Sequence, residues 1–322
     1  MSVRVAILGA AGYGGQELLR LLASHPHFDV AGAGSRAHAG KSVEEVLPQL
    51  RGSYPDLRFL EPVEAAAGCE AVFLAVPHGA ARTLFDAIDR DSLKVVDLSM
   101  DFRLESPDHD FVYGLTETNR ARIANARCVA NPGCFATGAL LALAPLAELD
   151  LIETDVDLSQ TTGSSGSGAE SKLTTHHPER AQDMRAYKVL EHQHEAEIAE
   201  ELARLGAPEV DLAMVPQSGP FARGIFTVAH VRLRHDTDLG EIYARRYGQE
   251  PFLRMRHETP TLRHVARTNF CDIAVAQKSR RAVILTALDN LVKGMSGQAI
   301  QNMNLLCGLE ETTGLMAPGA NP

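Results

Sequence analysis

The chain has 322 residues, 45% hydrophobic and 22% charged, a composition that fits a globular protein and excludes a disordered or low-complexity one. With 41 acidic against 31 basic residues the formal net charge is −10, which argues against a nucleic-acid binder and requires any anion site to be locally basic. No apolar run approaches the roughly 20 residues of a membrane span, and the five scattered cysteines, with no Cys-x-x-Cys pair, fit free thiols in the reducing cytoplasm.

The first third alternates short β-branched runs with helical patterns. Residues 3–8 read as a strand that opens the chain directly, with no basic leader before it. A helix over 14–24 follows, with Leu18, Leu19, Leu21 and Leu22 near one face. Further strands are predicted over 28–33, 71–76 and 95–98, with a helix over 79–88. Buried strands separated by helices imply βαβ units, and so an α/β fold with a doubly wound parallel sheet of the Rossmann type.

Between the first strand and the first helix lies Gly9-Ala-Ala11-Gly12-Tyr13-Gly14-Gly15. Its glycines at 9, 12 and 15 permit a tight turn and close backbone approach, and they set a pyrophosphate on the helix N-terminus. At the end of the second strand an NAD site usually carries an acidic residue for the ribose hydroxyls. This chain has Ser35 and Arg36 there. A hydroxyl and a guanidinium suit a 2′-phosphate, so the cofactor expected is NADP(H). Arg103 follows the strand at 95–98, where ligand residues of open parallel sheets collect, and is a candidate to hold a phosphate or carboxylate.

Cys134 stands behind Asn131-Pro132-Gly133 and heads an apolar run, 135–149, that reads as a helix. A thiol at a helix N-terminus meets the positive end of the helix dipole and unpaired N–H donors, which favour the thiolate and can hold an oxyanion. The residues alone are equally those of a small, inert, buried cysteine. Downstream, strands are predicted over 155–162, 212–216, 224–233, 252–255, 269–275 and 282–288, with helices over only 191–205 and 239–247. That proportion implies an α+β domain with a mostly antiparallel sheet. A last helix, 296–306, is apolar on more than one side and is expected to return to the first domain. The expected domains are therefore 1–148 with 291–322, and 149–290.

Within the second half, His192-Gln193-His194 offers an acid–base partner for Cys134; no metal site has convincing ligand spacing. The loop 162–168, rich in glycine and serine and including Ser164, could present N–H and hydroxyl donors to an anion, and Arg223 stands at a turn before a strand.

Taken together, Gly9–Gly15, Ser35-Arg36, Val76-Pro77-His78-Gly79, Asn131-Pro132-Gly133-Cys134-Phe135, Ala186-Tyr187-Lys188, His192-Gln193-His194 and Asp289-Asn290-Leu291-Val292-Lys293-Gly294 resemble the N-acetyl-γ-glutamyl-phosphate reductase family of arginine biosynthesis, nearly end to end. The resemblance implies a Rossmann domain and an α+β catalytic and dimerisation domain. It also implies NADPH use, a small-molecule acyl phosphate substrate, a cytoplasmic homo-oligomer (dimer or tetramer), and no membrane or nucleic-acid partner. It implies Cys134 as nucleophile and the catalytic imidazole at His192, with His194 as the close second. Asn290 is expected on the nicotinamide side, and Arg103, Ser164 and Arg223 are the candidates for binding the substrate. His176-His177-Pro178-Glu179-Arg180 departs from the common pattern and resembles the related carrier-protein lysine-pathway reductase. An N-succinyl substrate is a further alternative to the N-acetyl one.

Overall fold

The computed structural model describes residues 2–319 apart from Asp91 and Lys172. The chain forms two compact units, one running to Pro132 and resuming over Met295–Ala317, the other spanning Gly133–Gly294 and the chain from Pro318. These limits differ from the sequence boundaries at 148 and 291, because helix Cys134–Ala147 belongs to the second unit. Every residue of that helix from Phe135 onward is buried. It therefore has no polar face that would mark in the sequence which sheet it covers. Among the described residues no helix is long and apolar enough to cross a membrane.

The first unit is built on seven strands: β1 (Val3–Leu8), β2 (Phe28–Gly34), β3 (Phe59–Leu60), β4 (Ala71–Leu74), β5 (Lys94–Asp97), β6 (Val112–Tyr113) and β7 (Cys128–Ala130). Their order is β3-β2-β1-β4-β5-β7-β6, and every pairing is parallel. The four residues Val5–Leu8 are buried in succession, as are all four of β4, so both faces of the sheet are covered. Helix Tyr13–Leu22 packs on β1 and β2, and helix Gly297–Leu306 packs on β5 and on helix Thr116–Ala124. Strand order reverses at β1, whose neighbours are β2 and β4. The crevice beyond its carboxyl end is the usual ligand position of such sheets, and the glycine loop begins there. The two-residue strands β3 and β6 are too short to show a period in the sequence.

The second unit has its own seven strands: β8 (Ile152–Thr162), β9 (Arg185–Ala186), β10 (Asp211–Ser218), β11 (Ile225–Leu233), β12 (Leu253–Met255), β13 (Cys271–Lys278) and β14 (Arg281–Leu288). Their order is β12-β13-β14-β11-β8-β10-β9. The β8–β10 and β12–β13 pairs are parallel and the rest antiparallel. Strand β11 alternates buried and part-exposed residues along its length, so one face of this sheet is covered. Helix Cys134–Ala147 supplies that cover, packing on β8, β11 and β14. It approaches closely at Gly138, where an added Cβ would lie 2.7 Å from Thr227 Oγ1 and where Thr286 Oγ1 donates to the Gly138 carbonyl.

Candidate active site

In the first unit the glycine loop is fixed by sterics. Gly9 has φ +93°, and a Cβ there would lie 2.3 Å from the Ala75 carbonyl oxygen; one on Gly15 would lie 2.4 Å from the Gly9 carbonyl oxygen. Gly12 N–H donates to Gly9 O (3.1 Å), and Gln16 Nε2 donates to Ala11 O (2.8 Å). Gly12 opens helix Tyr13–Leu22 with no side-chain cap. Its first amides, on Tyr13, Gly14 and Gly15, have no acceptor among the described residues, which leaves them for an anion. Ser296 Oγ donates to Gly14 O (2.9 Å) and holds the loop from beneath. At the end of β2, Ser35 is buried, while Arg36 is exposed and makes no hydrogen bond or ion pair among the described residues. No acidic side chain occupies this strand end. A glycine cradle, an uncapped helix and an unengaged guanidinium fit NADP.

Arg103 is buried, and two of its donors go to backbone oxygens: Nε to Asn131 O (2.9 Å) and Nη2 to Leu98 O (3.1 Å). It braces the turn that leads toward Cys134. Nearby, burial pushes the Asp97 carboxyl up to about 6, against the opposing effects of its Ser99 hydrogen bonds and the Arg103 charge.

In the second unit Cys134 is the first residue of its helix and is half-buried. Thr137 N–H is the first amide to find an intrahelical acceptor, Gly133 O at 2.8 Å. The amides of Phe135 and Ala136 have no acceptor among the described residues and emerge beside the thiol. Gly133 N–H is taken by Glu197 Oε1 at 2.7 Å. Glu197 is itself buried, on helix His194–Arg204. The buried residues of that helix are His194, Glu197, Ile198, Glu201 and Leu202, spaced as one helical face. This face packs on the Cys134 helix.

That packing brings the imidazoles to the Cys134 end of the helix. The Phe135 ring lies 5.4 Å from His192 and 6.0 Å from His194, and the two imidazoles are 4.6 Å apart. Both histidines are buried. His192 Nδ1 accepts from His194 N–H (3.2 Å), so its own proton sits on Nε2. Burial, helped by the Lys188 charge, pushes His192 down to about 4, so this imidazole is neutral at physiological pH. Tyr187 is 6.0 Å from His192, ring to ring, and burial and the neighbouring Cys134 sulfur push its hydroxyl pKa up. Among the described residues no group of three or more His, Cys, Asp or Glu could hold a metal ion.

The remaining predicted residues are more constrained than their sequence suggests. Arg223 is gripped by Asp289, Nε to Oδ2 at 3.0 Å and Nη2 to Oδ1 at 3.1 Å. Asn290 Oδ1 accepts from Gly224 N–H (2.7 Å) and its Nδ2 donates to Ser165 Oγ (2.9 Å). In the loop after β8, the amides of Gly163, Ser164 and Ser165 donate to Gly224, Phe221 and Ala222 carbonyls. The loop's backbone donors are therefore spent on the protein and not offered to an anion; the Ser164 hydroxyl is still available. Sequence reasoning gave Tyr187, Glu197 and Gly294 no role of their own beyond membership of family-like segments. Glu197 was detectable as an acid at a core position of an amphipathic helix. Gly294 was not, because the need for glycine there comes from the approach of Cys134 Cβ, 3.0 Å from where a Gly294 Cβ would sit.

Residues 4–126 match the family described as semialdehyde dehydrogenase, NAD binding domain, and residues 134–290 match semialdehyde dehydrogenase, dimerisation domain. A relative from Methanopyrus kandleri named N-acetyl-gamma-glutamyl-phosphate reductase is 44% identical, covering 99% of this chain and 100% of its own. One of the same name from Methanoregula boonei is 43% identical with the same coverage. The chain belongs to the N-acetyl-γ-glutamyl-phosphate reductase family. In fold it matches solved aspartate semialdehyde dehydrogenases. The enzyme from Vibrio cholerae has a TM-score of 0.75 at 18% identity, covering 96% of this chain and 99% of that one. A probable one from Pseudomonas aeruginosa has a TM-score of 0.76 at 19% identity, covering 95% and 99%. Membership of this family makes the chain an oxidoreductase.

Proposed function

We propose that this chain reduces N-acetyl-L-glutamyl 5-phosphate to N-acetyl-L-glutamate 5-semialdehyde with NADPH, releasing phosphate, as a step of arginine biosynthesis. The observation that carries the reading is the half-buried thiol at the head of a buried helix, with unpaired amides and two imidazoles beside it. The Cys134 thiolate attacks the acyl carbon, and the amides of Phe135 and Ala136 hold the tetrahedral oxyanion while phosphate leaves. The acyl group is then a thioester on Cys134. The glycine loop 9–15, with Ser35 and Arg36, would hold NADPH, which would supply hydride for reduction of the thioester carbon. The resulting thiohemiacetal collapses to the aldehyde and returns the sulfur to the thiolate. His192, neutral and protonated on Nε2, serves as a hydrogen-bond donor to the substrate oxygen. His194 is then the stronger candidate to carry the proton.

Gly9, Ala11, Gly12, Tyr13, Gly14 and Gly15 form the pyrophosphate cradle in this reading, and Ser35 and Arg36 take the adenosine 2′-phosphate. Arg103 and Arg223 position backbone and loop, Asn290 fixes the Ser165 loop on the nicotinamide side, and Ser164 faces the substrate. We assign residues 4–126 to cofactor binding and 134–290 to catalysis and dimerisation, in a cytoplasmic homo-oligomer.

Relatives named for the N-acetyl substrate, at 38–44% identity, favour it over an N-succinyl or carrier-linked aminoadipyl phosphate. The reverse reaction tests this. NADP+ reduction should require both phosphate and N-acetylglutamate semialdehyde, with kcat/KM at least about tenfold above that for the N-succinyl or carrier-linked aldehyde. A preference for either of those would replace the substrate assignment.

A further inference from the structure

Two half-buried arginines of the second unit are visibly engaged. Arg223 has Asp289, and Arg246 has Glu148. Arg180 differs. It closes the short helix His177–Arg180 and is 8% exposed, although the residues before it on that helix lie on the surface. Of its five N–H donors, one makes a long hydrogen bond, Nη2 to Thr162 O at 3.4 Å. Nε is buried with no partner, and no carboxylate pairs with the guanidinium among the described residues. A buried cation without a counter-charge is costly, and one long hydrogen bond to a carbonyl offsets only part of that cost.

The surroundings deepen the imbalance. Burial, and after it the Arg185 charge, push the Arg180 pKa down, so the nearest charge that matters is a second cation. Thr162 ends β8 and leads into the Ser164–Ser167 turn, whose own amides are already spent. Tyr187 lies within electrostatic reach of both the Arg180 guanidinium and the Cys134 sulfur. The unsatisfied Nε thus lies in the neighbourhood of Tyr187 and Cys134, with Arg185 as a second cation beside it.

We propose that Arg180 is a substrate-binding residue whose guanidinium receives one oxyanion end of the acyl phosphate, its α-carboxylate or its phosphoryl group, through paired N–H···O bonds. This rests on the reading that Cys134 carries the acyl group. The substrate supplies the counter-charge that the fold lacks. Arg180 belongs to the stretch 176–180 that departs from the usual family pattern, so the residue also bears on substrate choice within the family.

The test uses the full chain as wild type, Arg180→Lys and Arg180→Gln. Melting is followed with no addition, with inorganic phosphate and with N-acetylglutamate, and the reverse reaction is followed at varied phosphate and aldehyde. Arg180→Gln should melt no lower than wild type without anion, because it removes an uncompensated buried charge. It should lose the upward shift that an anion gives wild type. Its KM should rise about tenfold or more for one substrate, with partial rescue in Arg180→Lys. A rise confined to the aldehyde identifies the carboxylate as the ligand, and a rise confined to phosphate identifies the phosphoryl group. Unchanged KM values together with an unchanged anion shift would overturn the proposal. So would unchanged KM values with an altered oligomer size, which would mark Arg180 as a contact for a second copy. If wild type itself shows no phosphate-dependent turnover, the proposed function fails, and the anion shift still decides whether Arg180 binds an oxyanion.

Discussion

Gly294 and Cys134 constrain each other. A Cβ at Gly294 would lie 3.0 Å from Cys134 Cβ and 3.1 Å from Leu288 Cδ1. Gly294→Ala should therefore displace the Cys134 side chain. Its expected cost is about 1–3 kcal/mol in stability, as for other overpacked sites, and activity should fall further than that loss explains. Thermal melting and kcat measured together check this; a folded variant with wild-type kcat would contradict it. At this scale the sequence was informative wherever chemistry sets the residue type. Cys134, His192, His194 and the glycines of the cofactor loop were all visible, because each has a motif. Arg103 and Arg223 were visible as arginines, but the acceptors that occupy their donors, Asn131 O and the Asp289 carboxylate, come only with the fold. Arg180 was passed over because burial without a partner has no sequence signature.

The contact between Gly133 N–H and Glu197 joins the head of the Cys134 helix to the helix that begins at His194. Glu197→Ala leaves a buried amide unpaired and should cost about 1–3 kcal/mol. Glu197→Gln keeps an acceptor oxygen and should retain most of that stability. Denaturant unfolding of the pair checks this, and equal losses in the two variants would contradict it. A second contact secures the chain's return to the first unit. His25 is buried, its Nδ1 accepts from Phe28 N–H (3.0 Å), and its Nε2 faces Asn304 Oδ1 at 3.1 Å. Burial lowers its pKa from 6.5, against the opposing hydrogen bonds of Asn304 and Thr313. The folded form thus resists protonation more than the unfolded form does. The contribution is complete above pH about 6.5 and is lost as pH falls from there through the folded pKa. Wild type should lose stability over that window by more than His25→Gln does, as followed by melting temperature against pH; parallel curves would contradict it.

Each unit of the molecule follows a different grammar, and the sequence conveyed both. Consecutive buried residues in β1 and β4 read as a parallel sheet covered on both faces, and the alternating β11 reads as a sheet covered on one. The switch point at β1 then follows from strand order and positions the cofactor loop. What was not legible was the assignment of helix Cys134–Ala147. Apolar on every side, it could cover either sheet, and only the close approach at Gly138 and the contacts with β8, β11 and β14 decide. The strands β3, β6 and β9 were likewise too short to be read.

The central claim is that Cys134 carries the acyl group between phosphate release and reduction. Intact-protein mass measurement after mixing enzyme with N-acetylglutamyl phosphate, without NADPH, tests it directly. The expected result is one N-acetylglutamyl adduct located on Cys134 and discharged as aldehyde when NADPH is added. Cys134→Ala should form no adduct and should lose about 10³-fold or more in turnover. An adduct on another residue, or wild-type turnover by Cys134→Ala, would contradict the account.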